Sequence, residues 1–289
     1  MSNEIEIAFI GGSGLYKIPN FKNSEWLDVS SNFGKPSSKI CIGSLNGKKI
    51  AFLPRHGLNH NLSPSKINYR ANIEALKKLN VQNIISVSAV GSLREDFKPS
   101  EFVLVDQFID RTFIRNKSFF DDDCVVHIPM ASPICNNLKK ISSKALKKLK
   151  LNFHSGGTYI CIEGPQFSTL AESNLYRSWG CDVIGMTNMP ESKLAMEAGI
   201  CYVSLSMVTD YDCWHKNHDS VTVDQIVKVM KKNSENALRF INEICKEETI
   251  KCNEVTKNLA KNSIITEKSK IKKKTRDKLS NIIRFNESK

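Results

Sequence analysis

Ile5-Glu6-Ile7-Ala8-Phe9-Ile10-Gly11-Gly12-Ser13-Gly14 is an apolar run that ends in a glycine cluster, and it reads as a buried strand entering a tight turn. Further strand patterns follow at residues 39–42 and 49–53, which join around Asn46-Gly47, a strong hairpin signal. Others lie at 83–90, 102–105, 157–162, 183–186 and 201–207. Helical patterns fall between and after them, at 69–79, 133–149, 168–179, 191–198 and 223–245. Strands alternating with helices predict an α/β fold, a single domain whose central mixed β-sheet is flanked by helices.

The chain has 289 residues, 40% hydrophobic and 25% charged, enough for one large domain with a substantial core. Its first residues carry no basic region followed by a long apolar core, and no apolar stretch approaches the ~20 residues of a membrane span, so a cytoplasmic protein is expected. The nine cysteines are scattered singly, without C-x-x-C pairs, and are expected to be reduced thiols. No metal site is expected, because no carboxylate and histidine cluster has ligand spacing. The net charge of +12 is concentrated at the end, peaking at Lys268-Ser269-Lys270-Ile271-Lys272-Lys273-Lys274. No aromatic interleaves there to stack bases, so this run reads as a solvated tail rather than a nucleic-acid site. Leu279, Ile282 and Ile283 predict one short helix docking within residues 275–283.

Several strand ends carry chemistry. Gly11-Gly12-Ser13-Gly14 offers backbone amides and a hydroxyl, but Leu15-Tyr16-Lys17 breaks the dinucleotide pattern. Pro54-Arg55-His56-Gly57 supplies a planar fork for anionic oxygens, a surface ion pair being the plainer alternative for Arg55. Ser86-Val87-Ser88-Ala89-Val90-Gly91 presents small residues and a hydroxyl at another strand end, where ligands of open α/β sheets bind. Glu163-Gly164-Pro165-Gln166-Phe167-Ser168-Thr169 places an aromatic between a strand and a helix, with Ser168 also suited to cap that helix. Asp210 and Asp212, two residues apart at the end of an apolar strand, are expected on one side of it. Taken singly, those acids fit a solvent-facing loop as well.

These segments, in this order, resemble the nucleoside phosphorylases, specifically the 5′-methylthioadenosine phosphorylase family. The specific parts are Ser65-Lys66-Ile67-Asn68-Tyr69, Gly91-Ser92-Leu93-Arg94-Glu95, Asp106-Gln107-Phe108-Ile109-Asp110-Arg111-Thr112, His127-Ile128-Pro129-Met130, Ile162-Glu163-Gly164-Pro165 and Thr209-Asp210-Tyr211-Asp212-Cys213-Trp214. The resemblance implies a nucleoside phosphorylase-like fold over residues 1–248, followed by a Lys-rich C-terminal extension, 249–289. It implies reversible phosphorolysis of 5′-methylthioadenosine to adenine and 5-methylthioribose 1-phosphate, in purine and methionine salvage. No cofactor is implied; inorganic phosphate is a co-substrate.

Carried over by position, the resemblance assigns Ser13, Arg55, His56, Ser88, Ala89 and Thr187 to phosphate. Ser13 and Ser88 stand where the family usually has Thr. Met186 is expected under the ribose, Phe167 and Ser168 along the base, and Tyr211 among the substrate-binding residues. Asp210 supports the proton at N7 of the leaving purine, and Asp212 accepts from the exocyclic amine. Val223, Ile226 and Val227 match an apolar pocket for the 5′ end, although a core helix needs the same spacing. His127 matches a residue contributed across a subunit boundary, which implies a homotrimer. Gln166 departs from the Arg common beside the base loop.

The alternative within the family is a 6-oxopurine phosphorylase, acting on inosine, guanosine or 5′-methylthioinosine. The two carboxylates argue against it, since an acid accepts from an amine but faces repulsion from a 6-oxo group. A nucleic-acid-binding protein that retains only the fold is the reading from another class.

Overall fold

Asn46 and Gly47 both take positive φ, 51° and 80°. That is the left-handed pair a two-residue hairpin turn requires, so the Asn-Gly signal in the sequence has its physical counterpart. The computed structural model describes residues 5–12, 15, 18–215, 223–247, 251–252 and 254–285. Its strands are β1 (Ile7–Gly11), β2 (Lys22–Leu27), β3 (Ile40–Leu45), β4 (Lys48–Pro54), β5 (Asn83–Ser92), β6 (Phe102–Leu104), β7 (Gln107–Arg111), β8 (Phe153–Ser155), β9 (Thr158–Ile162), β10 (Val183–Gly185) and β11 (Cys201–Tyr211). The helices are α1 (Tyr69–Lys78), α2 (Asn136–Lys148), α3 (Leu170–Ser178), α4 (Asn188–Glu197), α5 (Val223–Ile244), α6 (Glu254–Lys257), α7 (Leu259–Asn262) and α8 (Lys273–Leu279).

The strands form one mixed sheet in the order β2-β3-β4-β1-β5-β10-β9-β7, with β11 pairing both β5 and β6, and β8 beyond β6. The middle is parallel: β4, β1, β5 and β11 run in one direction. β10 runs against β5 but with β9. The expected α/β fold with a mixed central sheet is therefore present. β5 and β11 are its longest pair, in register from Asn83 against Cys201 to Val90 against Val208. Both are near-continuously buried, with α4 packed against β5 and β11 and with α2 and α5 packed against β11. The register slips between Val208 and Asp210, so that Asp210 lies opposite Gly91. A bulge of this kind re-aims side chains at a strand end.

Three strands were not legible as such. β2 (KNSEWL) is an exposed edge, mostly polar, without an apolar alternation. β8 has three residues, and β7 has no buried position. Both take strand form because β6 and β9 provide partners. Helix α3 starts one turn position later than expected. Thr169, not Ser168, is its N-cap, accepting from Glu172 N while the Glu172 carboxylate accepts from Thr169 N, a complete capping box.

The C-terminal segment is not a loose solvated tail. Ile271, Leu279, Ile282 and Ile283 are buried in the main core cluster with β1, β4 and α1 residues. Asn32 Nδ2 donates to Lys278 O at 2.9 Å, and Asn281 Nδ2 to Glu74 Oε1 at 2.9 Å. The expected short helix is α8, starting two residues earlier than its apolar positions suggest. Lys268, Lys270, Lys272, Lys273 and Lys274 remain exposed around the buried Ile271. Among the described residues no helix is long and apolar enough to cross a membrane.

Candidate active site

The parallel strands β1, β4, β5 and β11 bring their C-terminal ends to one edge of the sheet, and a cavity of about 540 Å³ opens there. Its position is the one expected for a ligand site in an open α/β sheet, and its size suits a nucleoside-sized molecule. Arg55 and His56 enter from the end of β4, Ser88 and Ala89 from β5, and Thr187 from the start of α4. Met186, Phe167 and Ser168 form a second wall, and Asp210 and Asp212 come from the end of β11. The structure thus gathers these ten side chains, all singled out in the sequence, into one cavity, although they lie on five separate segments.

At one end is a buried polar network. Arg55, only 1% exposed, pairs with Glu191 of α4 through Nε to Oε2 at 2.8 Å and Nη2 to Oε1 at 3.1 Å. It is therefore a buried ion pair, not the surface pair that was the plainer alternative. Nη2 also donates to Ser86 Oγ and Ile10 O, and Nη1 to Val87 O. The Glu191 carboxylate raises the Arg55 pKa against the opposing effect of burial. His56 Nδ1 lies 2.8 Å from Leu62 O and so must carry the hydrogen. Burial and the Arg55 charge push the His56 pKa down to about 4, so the ring is neutral at pH 7.

At the other end Asp210 and Asp212 face the cavity. Gly91 makes room for them, since a Cβ there would stand 3.2 Å from Asp210 Oδ1 and 3.5 Å from Asp212 Cβ. Burial pushes the Asp210 carboxyl up to about 6; the Thr209 hydroxyl opposes this and the Asp212 charge adds to it. The Asp212 pKa is raised too, mainly by burial. Asp212 Oδ2 and Ser168 Oγ are shut from solvent without a hydrogen-bond partner among the described residues. Phe167 lies at the rim, 76% exposed. Along β5 the two ends are set by Ser88 and Gly91, three residues or roughly 10 Å apart.

Other expected residues fall elsewhere. Tyr211 points away from the cavity, as strand alternation between Asp210 and Asp212 demands. Its hydroxyl donates to Glu95 O and its ring stacks on His215. His127 is exposed and outside the cavity wall, its backbone N–H bonded to Ser263 O. Ser13 lies outside the described residues. Val223, Ile226 and Val227 fall on α5, but their side chains are outside the description. Met230, one turn further along α5, does line the cavity. Among the described residues no group of three His, Cys, Asp or Glu side chains could hold a metal ion.

Sequence reasoning missed Glu191 and Arg115. Glu191 belongs to a helix whose apolar positions announced only packing. Arg115, 7% exposed, donates from Nη1 to Met186 O and Met189 O at 2.7 Å, and from Nη2 to Glu163 O at 2.7 Å. It ties the loops after β9 and β10 together beneath Met186. Such a cation carries no local sequence signal beyond its charge.

A model of the phosphorylase superfamily matches residues 6–246. The S-methyl-5′-thioadenosine phosphorylase of Koribacter versatilis is 50% identical over 284 residues, covering 97% of this chain and 96% of its own. A methylthioadenosine phosphorylase from an antarctic soil metagenomic library superposes with a TM-score of 0.91 at 42% identity, covering 98% of this chain and all of its own. The methylthioadenosine phosphorylase of Schistosoma mansoni, solved with adenine, has a TM-score of 0.84 at 32% identity, covering 91% of this chain and 99% of its own. With the sheet, the strand-end cavity and these likenesses together, the chain belongs to the phosphorylase superfamily, in the family of S-methyl-5′-thioadenosine phosphorylases.

Proposed function

We propose that the chain catalyses phosphorolysis of 5′-methylthioadenosine, inorganic phosphate displacing adenine from C1′ to give 5-methylthioribose 1-phosphate. The observation that carries this reading is the division of one cavity into an arginine, histidine and hydroxyl end and a paired-carboxylate end, about 10 Å apart along β5. The transition state of such a displacement is oxocarbenium-like. The protein's tasks are then to hold the anion below C1′ and to stabilise the departing base.

Arg55, His56, Ser88, Ala89 and Thr187 hold phosphate in this reading, with Ser13 completing the group. Met186 lies under the ribose. Asp210, with a carboxyl raised to about 6, carries a proton to N7 of the leaving purine. Asp212 Oδ2, buried without a hydrogen-bond partner among the described residues, takes the hydrogen of the exocyclic amine. That pairing favours a 6-aminopurine over a 6-oxopurine. Phe167 and Ser168 flank the base. Met230 lines the cavity from α5 and takes the 5′ thiomethyl group in this reading, to which the family likeness also assigns Val223, Ile226 and Val227. The nine cysteines, with none in a disulfide, fit a cytoplasmic enzyme.

The test is base release from 5′-methylthioadenosine and 5′-methylthioinosine, each with and without phosphate. Adenine appearing only with phosphate is the expected result; preferential hypoxanthine release would overturn the base assignment, and silence on both the function.

The same reading includes a homotrimer with its sites at the boundaries between subunits. Phe113, Ile114 and Trp179 are 68%, 72% and 45% exposed, and the Arg111 guanidinium lies over the rings of Phe113 and Trp179. Exposed apolar side chains grouped in this way mark an association surface. Sedimentation equilibrium is expected to give three times the chain mass, and replacing Phe113 and Ile114 by Asp is expected to give single chains. A monomeric parent protein would remove this part of the reading.

A further inference from the structure

We propose that Glu191, Tyr202 and Asn188 form a positioning chain that turns Ser88 into a hydrogen-bond acceptor toward the bound anion, so that the site selects tetrahedral oxyanions that still carry a proton, phosphate and arsenate, over sulfate. The inference rests on the phosphate end of the cavity proposed above.

The direction of every hydrogen bond follows from one fixed terminus. Glu191, paired with Arg55, is an ionised carboxylate and only accepts. The Tyr202 hydroxyl, 3.0 Å from Glu191 Oε1, must therefore donate its one hydrogen there. Its lone pair faces Asn188, so it is Asn188 Nδ2 that stands 2.9 Å away and donates. That orients Asn188 Oδ1 toward Ser88 Oγ at 3.1 Å, and Ser88 donates in turn. Glu191, Tyr202 and Asn188 are each at most 1% exposed, so no water relieves the constraint. The single hydrogen of Ser88 is spent on the protein, and only its lone pairs remain for a ligand.

His56 reaches the same condition independently. Its Nδ1 hydrogen goes to Leu62 O. Burial and the Arg55 charge keep the ring neutral, which leaves Nε2 as an acceptor. An anion beside Arg55 thus gains charge attraction but meets two acceptors in its first layer. Phosphate and arsenate at neutral pH retain at least one O–H to donate. Sulfate has none, so its oxygens meet lone pairs with lone pairs.

The test is titration calorimetry of the intact chain with inorganic phosphate, arsenate and sulfate, at one pH and ionic strength. Sulfate is expected to bind at least about thirtyfold more weakly than phosphate, and arsenate to follow phosphate. In Tyr202→Phe the Asn188 amide loses its fixed partner and can turn, Ser88 regains a hydrogen to donate, and the phosphate-to-sulfate ratio is expected to fall about tenfold. Ser88→Ala removes the acceptor itself while the Asn188, Tyr202 and Glu191 contacts stay in place, and is expected to lower the ratio as well. A merely structural Tyr202 would weaken both anions alike and leave the ratio unchanged. Sulfate binding within threefold of phosphate, or a ratio unchanged in both variants, overturns the proposal. Adenine release measured alongside separates the two readings. Release with equal sulfate binding sinks this inference and leaves the function, whereas no phosphate binding and no release sinks both.

Discussion

Asp210→Asn is expected to cut adenine release from 5′-methylthioadenosine by about a thousandfold while making the protein more resistant to unfolding. The loss follows from the role proposed for the carboxyl. A positioned acid contributes about 10²–10⁴ to a proton-dependent step, and an amide in the same place cannot deliver a proton. The gain follows from the environment. Burial beside Asp212 raises the Asp210 pKa from its usual 3.8 to about 6. Between pH 4 and 6 the folded state therefore holds a proton that the unfolded state has released. Stability falls as pH rises through that window, and above it the whole penalty applies. It amounts to about 1–3 kcal/mol at pH 7, and an amide does not incur it. In the parent protein kcat/KM is expected to fall above about pH 6, where the free enzyme loses this proton, and the Asp210→Asn variant is expected to lack that limb. Denaturant midpoints and the pH profile, measured on both proteins, check the two claims together. A variant that is inactive and also less stable would mean that Asp210 is held by interactions favouring its charge.

The carboxylate pair was legible in the sequence because its signal is local. Two acids with period-two spacing at the end of an apolar strand point to one side, and the bulge after Val208 keeps both in the cavity. The central strands were legible for a similar reason, since strands buried on both faces carry mostly apolar and small residues with few charges, as the patterns at 83–90 and 201–207 do. The edges were not. β2 is polar and exposed, and β8 exists through its pairing with β6, which no property of Phe153-His154-Ser155 announces. The largest gap is the polar network beneath the site. Arg55 was recognisable at a strand end, but its partner Glu191 is 136 residues away, and so is visible only once β4 and α4 are packed together. Arg115, which holds Met186 O, likewise acts across 71 residues. Short-range patterns report the groups that face a ligand, whereas the groups that hold them in place depend on tertiary contacts.

That hidden layer carries the second large effect. Glu191→Ala is expected to destabilise the fold by about 3–5 kcal/mol, because it leaves the Arg55 guanidinium buried without its counter-charge. Ser86 Oγ and the Tyr202 hydroxyl lose the same acceptor, at 2.6 Å and 3.0 Å respectively. For a chain of this size the midpoint of thermal unfolding should drop by roughly 8–15 °C. Phosphate is expected to recover part of the loss. An anion bound beside Arg55 replaces the missing carboxylate, so the stabilisation per unit of phosphate should be larger in the variant than in the parent protein. Replacing both members, Arg55→Leu with Glu191→Leu, separates charge from packing. A buried pair exchanged for apolar residues of similar volume is often close to neutral in stability, so the double variant is expected to regain most of the midpoint while losing the response to phosphate. If the double variant were as unstable as Glu191→Ala, the cost would lie in packing and not in the uncompensated charge. If it still responded to phosphate, Arg55 would not be the cation that holds the anion.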